Sequence, residues 1–134
     1  MNKEELRERT KKFALRVLKL VRALPRDASG RALSSQLVRS ATSVGANYRS
    51  CLRARSRAEW VAKINICLEE ADESAFWLEL IAEDQMLPAN RMEPLLQESS
   101  ELTAIFAAAI KTTREGPSPN PRLGRQNPGA NLKS

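Results

Sequence analysis

Residues 56–84 read SRAEWVAKINICLEEADESAFWLELIAED, and within them Trp60, Ile64, Cys67, Ala71, Ser74, Leu78 and Ile81 recur at spacings of four, three, four, three, four and three. That alternation puts one apolar stripe on a helix and is the seam pattern of antiparallel bundles. Val61, Leu68, Ala75 and Ala82 widen the stripe. Ser56 with Glu59 three residues on is a capping box that starts the helix, and Pro88-Ala89-Asn90 ends its pattern.

The same periodicity extends outward in both directions. Before this stretch, Leu6, Phe13, Val17, Leu20 and Leu24 mark a first helix capped by Asn2 and Glu5. Pro25 stops it, and Arg26-Asp27-Ala28-Ser29-Gly30 supplies turn chemistry. A second helix is expected from about Leu33 to Arg53, with Ser34 as its cap and Leu33, Leu37, Ala41, Val44, Tyr48 and Leu52 as its stripe. After the quoted stretch, Asn90 to Glu93 reads as another capping box, with Pro94 in the first turn, where it is tolerated. Met92, Leu95, Ser99, Leu102, Phe106 and Ala109 carry that fourth helix to about Arg114. Four helices of about twenty residues with short connections predict an all-α, up-down-up-down antiparallel four-helix bundle. Residues 1–115 form the bundle domain; residues 116–134, with Pro117, Pro119, Pro121 and Pro128 and no apolar period, are expected to be a disordered basic tail.

Composition narrows the chemistry. The 134 residues suit one domain, and aromatics make up only 4% of them, against 42% hydrophobic residues overall. Histidine is absent, which removes His-based catalytic triads and His-containing zinc sites. Glu69, Glu70, Asp72 and Glu73 invite comparison with di-iron bundles, yet they point away from the seam and lack the His such sites use, so no metal and no cofactor is expected. Cys51 and Cys67 have no CxxC spacing and read as small buried hydrophobes. No phosphate-binding glycine loop or nucleophile motif occurs, and the chain is read as a non-enzyme. The first residues carry cations throughout and no apolar signal core, so a reduced, cytoplasmic protein is expected. The longest uncharged stretches, 40–48 and 102–110, are nine residues each, too short to cross a membrane.

Charge is segregated along the chain. Residues 1–30 hold nine basic and four acidic groups, and residues 31–58 six basic and none acidic; residues 59–85 reverse this with one basic and eight acidic. On a helical wheel Arg31, Arg39, Arg49 and Arg53 form an outward ridge opposite the second helix's stripe, and Arg9, Lys12, Arg16 and Lys19 make a cationic strip on the first. Rows at that pitch can neutralise successive phosphates, which makes these eight residues the candidate nucleic-acid contacts. The competing reading is that the carboxylates of helix three absorb the ridge, within the subunit or across a subunit interface. Trp77 and Phe76 lie off the main seam and are expected to anchor such an interface.

The run Ser35-Gln36-Leu37-Val38-Arg39-Ser40-Ala41-Thr42-Ser43-Val44-Gly45-Ala46-Asn47, together with Glu69-Glu70-Ala71-Asp72-Glu73-Ser74-Ala75-Phe76-Trp77-Leu78-Glu79-Leu80, resembles the four-helix bundle protein family, also called the intervening-sequence protein of 23S ribosomal RNA. The resemblance spans about residues 8–114. Where the family often continues Ile-Ala-Glu-Gly after the Asn, Tyr48-Arg49-Ser50 stands here, so any role of that Glu does not transfer. The resemblance implies a bacterial bundle that assembles with itself into a closed ring, typically a pentamer. Its members are encoded within ribosomal RNA genes, and a distant relative serves a retroelement reverse transcriptase through a basic surface. Gln36, Arg39, Ser43 and Asn47, with Glu70, Glu73 and Trp77, match the family motifs and are expected to fix helix packing or subunit contact. The partners expected are therefore the protein itself, RNA or DNA bound with little sequence readout, and, on the alternative reading, a protein docked on a scaffold.

Overall fold

The fold starts at a capping box in which the Asn2 side chain accepts from the Glu5 amide and the Glu5 carboxylate from the Asn2 amide, both at 2.8 Å. In the computed structural model, which describes residues 1–115, it opens α1 (Lys3–Val21). Then follow α2 (Ala28–Cys51), α3 (Arg57–Glu83) and α4 (Ala89–Glu115), and no strand occurs among the described residues. The helices form an up-down-up-down bundle: α3 packs along both α2 and α4, and α1 lies against α2 and, over a shorter length, α4.

The expected stripes form the core. Phe13, Val17, Leu37, Val44, Ile64, Leu78, Met92, Leu102 and Phe106 are fully buried, and Tyr48 meets Phe106 across the bundle with ring centroids 6.2 Å apart. Helix four contributes Ile110 to the core, with the expected Ala109 only packed beside it. Trp60, Leu33 and Leu52 likewise stay half-buried at the helix ends. Four small polar residues, Thr10, Ser40, Ser74 and Ser99, are buried as well. Ser40 and Ser74 face each other between α2 and α3 with their hydroxyls 2.9 Å apart, and Thr10 and Ser99 donate to the Arg7 and Leu96 carbonyls, so these four hydroxyls are partnered.

Two helix starts differ from the sequence expectation. Helix α2 begins at Ala28, because the Asp27 side chain accepts from the Gly30 amide at 2.9 Å and caps it; Ser34 lies inside the helix. Gly30 allows this early start, since a Cβ there would stand 1.9 Å from the Pro25 carbonyl oxygen. Helix α4 begins at Ala89, which puts Asn90 inside the first turn and Pro94 beyond it. At α3 the Ser56 hydroxyl does accept from the Glu59 amide, at 3.0 Å, while the Glu59 carboxylate takes the Arg55 amide at 2.6 Å. Helix α3 ends in a Schellman turn: Met86 N–H bonds to Ile81 O and Gln85 N–H to Ala82 O, with Gln85 at φ 60°. The expected tail, 116–134, lies outside the described residues.

Candidate nucleic-acid interface

Helix order turns the charge segregation of the chain into two electrostatic sides. Residues 1–56, which supply α1 and α2, hold fourteen cations and four anions, whereas residues 57–115, which supply α3 and α4, hold five cations and twelve anions. Like-charged helices are thus adjacent, and the boundary between the two sides runs along the α2/α3 and α1/α4 contacts.

At each boundary one arginine is taken up by carboxylates. Arg9 of α1 donates to both oxygens of Glu98, at 2.7 and 2.8 Å, and to Glu101 at 2.6 Å, all on α4. The Glu98 hydrogen bond is the main reason its guanidinium is held even more firmly protonated than usual. Arg39 of α2 pairs with Glu70 at 3.3 Å and with Glu73, both on α3 of the same subunit. Arg39 draws the Glu73 carboxyl below its ordinary range, assisted by the Trp77 indole, which donates to Glu73 at 3.1 Å. Trp77 is partly buried against the core, and its ring lies 5.1 Å from that of Phe76, which is 50% exposed.

The remaining six candidate contacts, Lys12, Arg16, Lys19, Arg31, Arg49 and Arg53, are exposed and form no ion pair among the described residues. They do not form one surface. Arg9 turns its flank of α1 toward α4, and Lys12, Arg16 and Lys19 follow on that flank at helical spacing, whereas Arg49 and Arg31 border two separate grooves at opposite ends of the α1/α2 seam. Arg49 meets Arg7 and Lys11 in the first groove and Arg31 meets Arg22 and Arg26 in the second, four further cations that lie outside the strip of Arg9, Lys12, Arg16 and Lys19. Their signal was present in the Arg7, Lys11 spacing of four, but it shows its meaning only once the flank facing α2 is known.

Among the motif positions, Ser43 donates to the Arg39 carbonyl at 2.7 Å and Asn47 to the Ser43 carbonyl at 2.8 Å, so both bond back along their own helix. Gln36 is exposed. The two motif segments meet through Arg39, Glu70 and Glu73. Cys51 and Cys67 are free and buried, and burial pushes their thiols up to about 11 and about 12. Among the described residues no group of three or more Cys, Asp or Glu side chains is placed to hold a metal ion, and no helix is long and apolar enough to cross a membrane.

The fold and this charge arrangement define a four-helix bundle with one basic and one acidic side. The chain belongs to the 23S rRNA-intervening sequence protein family, whose model matches residues 2–108. A solved structure, that of a protein with unknown function from the S23 ribosomal protein family from Bacteroides thetaiotaomicron VPI-5482, is 34% identical. It aligns over 79% of this chain and 98% of its own with a TM-score of 0.73. No curated protein matches the chain.

Proposed function

We propose that this protein is a non-enzymatic, self-assembling bundle of the cytoplasm that associates with RNA through the basic side formed by α1 and α2, with little sequence readout. The observation that carries the reading is the excess of ten cations on residues 1–56, six of the eight candidate contacts there being exposed and outside any ion pair among the described residues. Tyr48, the one aromatic of α2, is buried in the core, which leaves that helix without an exposed ring on which a base could stack. Backbone phosphates, rather than base edges, are the chemistry such a surface recognises. The names of the family and of the similar structure, both ribosomal, point to RNA as the polyanion.

Self-assembly rests on a different face. Ile66, Phe76 and Leu80 of α3 are exposed large hydrophobes set among carboxylates, a surface suited to a second copy bearing cations, in a ring such as the pentamer the family resemblance implies. The same face favours the second reading, a scaffold that docks a protein partner. In that reading Arg39 contributes little to cross-subunit pairing, because its carboxylates come from its own subunit.

Light scattering combined with titration of a labelled RNA at about 50 and 200 mM salt separates the two readings. An oligomer whose affinity collapses at the higher salt supports RNA association. An oligomer that ignores RNA at both salts leaves the scaffold. Phe76→Glu is expected to lower the mass toward the monomer, and an unchanged mass would remove this face from the assembly.

A further inference from the structure

The two ends of the α1/α2 seam each hold three cations. At one end Arg7, Lys11 and Arg49 line a groove whose floor is made of small residues, Ala14, Gly45 and Ala46. At the other, where α1 turns into α2, Arg22, Arg26 and Arg31 line a second groove. Arg7 has a 3.5 Å contact with Glu4, which is 70% exposed; the other five form no ion pair among the described residues. The sole acids among residues 1–58 are Glu4, Glu5, Glu8 and Asp27, and Asp27 is occupied as the α2 cap. No acid lines either groove.

Helix geometry sets their separation. Lys11 on α1 and Arg22 at its C-cap are about 16 Å apart along the axis, and Arg31 and Arg49 on α2 about 27 Å, at 1.5 Å per residue. A stacked strand advances about 3.4 Å per nucleotide, so a backbone running along the seam would reach both clusters with roughly five to eight nucleotides. Small residues on the floor bring the strand close to the helices, and the clusters hold it at two points.

We infer that the α1/α2 seam is a two-point track for a polynucleotide backbone, with Arg7, Lys11 and Arg49 holding one end and Arg22, Arg26 and Arg31 the other. This rests on the RNA-association reading and deepens it by giving that surface a path and a site length. The track holds phosphates only, so RNA and DNA of the same length bind alike. The strip of Lys12, Arg16 and Lys19 lies on the opposite flank of α1 and is not part of it.

The test uses fluorescein-labelled oligoadenylates of three to twelve nucleotides with the full chain and two triple variants, Arg7→Gln/Lys11→Gln/Arg49→Gln and Arg22→Gln/Arg26→Gln/Arg31→Gln. A charge-matched control, Arg91→Gln/Lys111→Gln/Arg114→Gln, removes three cations from α4. The substituted groups are exposed except Arg7, which is half-buried, and circular dichroism confirms the helices are retained. Wild-type affinity should rise steeply between about four and eight nucleotides and then level, with a log–log salt slope near −4 for six cations on a single strand. Each seam variant should lose the length step, about tenfold or more of twelve-mer affinity and about two units of salt slope, and the control should lose neither. Twelve-mer binding that is salt-sensitive in the wild type yet unchanged in both seam variants would overturn the track and leave RNA association standing. Absence of twelve-mer binding by the wild type at about 50 mM salt would overturn both. A deoxyadenylate twelve-mer bound much more weakly than the ribo form would overturn backbone-only recognition.

Discussion

The Arg39 guanidinium of α2 and the Glu73 carboxylate of α3 form an ion pair in which Glu73 also accepts the Trp77 indole N–H at 3.1 Å. One side chain thus joins the outward arginine of the basic side to the half-buried ring beside the apolar face of α3.

The pair makes stability depend on pH in a defined direction. Arg39 holds the Glu73 carboxyl below its ordinary 4.5, so the folded state favours the ionised form. The stabilisation is present above that ordinary value and is lost as pH falls through the lower, folded-state value. Arg39→Gln should therefore unfold at lower urea than the wild type near about pH 6, with the difference shrinking toward about pH 3. An equal offset at both pH values would contradict the assignment.

Arg9 should behave as a structural cation. Its guanidinium spans Glu98 and Glu101 with its side chain one-quarter exposed, so solvent screening limits the pair. A double-mutant cycle of Arg9→Gln and Glu98→Gln should give a coupling of about 1 kcal/mol in urea unfolding. RNA affinity should fall less for Arg9→Gln than for Arg49→Gln. The reverse order would mean that the α4 carboxylates release Arg9 to the ligand.

Two backbone positions should respond in opposite directions. Gly30→Ala places a Cβ against the Pro25 carbonyl, and should destabilise by about 1–3 kcal/mol as the turn shifts. Gln85 sits at φ 60°, a conformation that favours glycine. Gln85→Gly should stabilise by roughly 0.5–1 kcal/mol, the relief of left-handed strain exceeding the added chain entropy of the unfolded state. Thermal melts of the two variants check both signs.

The buried thiols should be inert in the native bundle. Cys51 and Cys67 are fully covered, with ionisation pushed up to about 11 and about 12 by burial. At about pH 8 a disulfide exchange reagent should label them only as fast as the helices open, and rapidly once urea unfolds the chain. Fast labelling without urea would place at least one thiol at the surface.

Much of this architecture is legible in the residues. The alternation from Ile64 to Ile81 marks positions that are all fully buried, and the caps at Asn2 and Ser56 stand where side-chain chemistry indicates. The start of α2 was not legible, because Asp27-Ala28-Ser29-Gly30 has turn composition. The aspartate caps the helix instead, and the glycine makes room for the Pro25 carbonyl. A wheel correctly leaves Arg31, Arg39, Arg49 and Arg53 exposed, but it cannot show that Glu70 and Glu73 lie within reach of Arg39.

The sequence by itself determined four helices, their apolar stripes and the separation of cations from carboxylates, since each follows from periodicity and composition within a segment. Only the tertiary structure decided which flank of each stripe meets which neighbour. Arg9 and Lys11 are two residues apart, yet one is bound to α4 carboxylates and the other borders the α2 groove. Burial of an apolar stripe is non-directional and is satisfied by any neighbour. The order of helices around the core therefore sets which cations are consumed by ion pairs and which are left facing solvent.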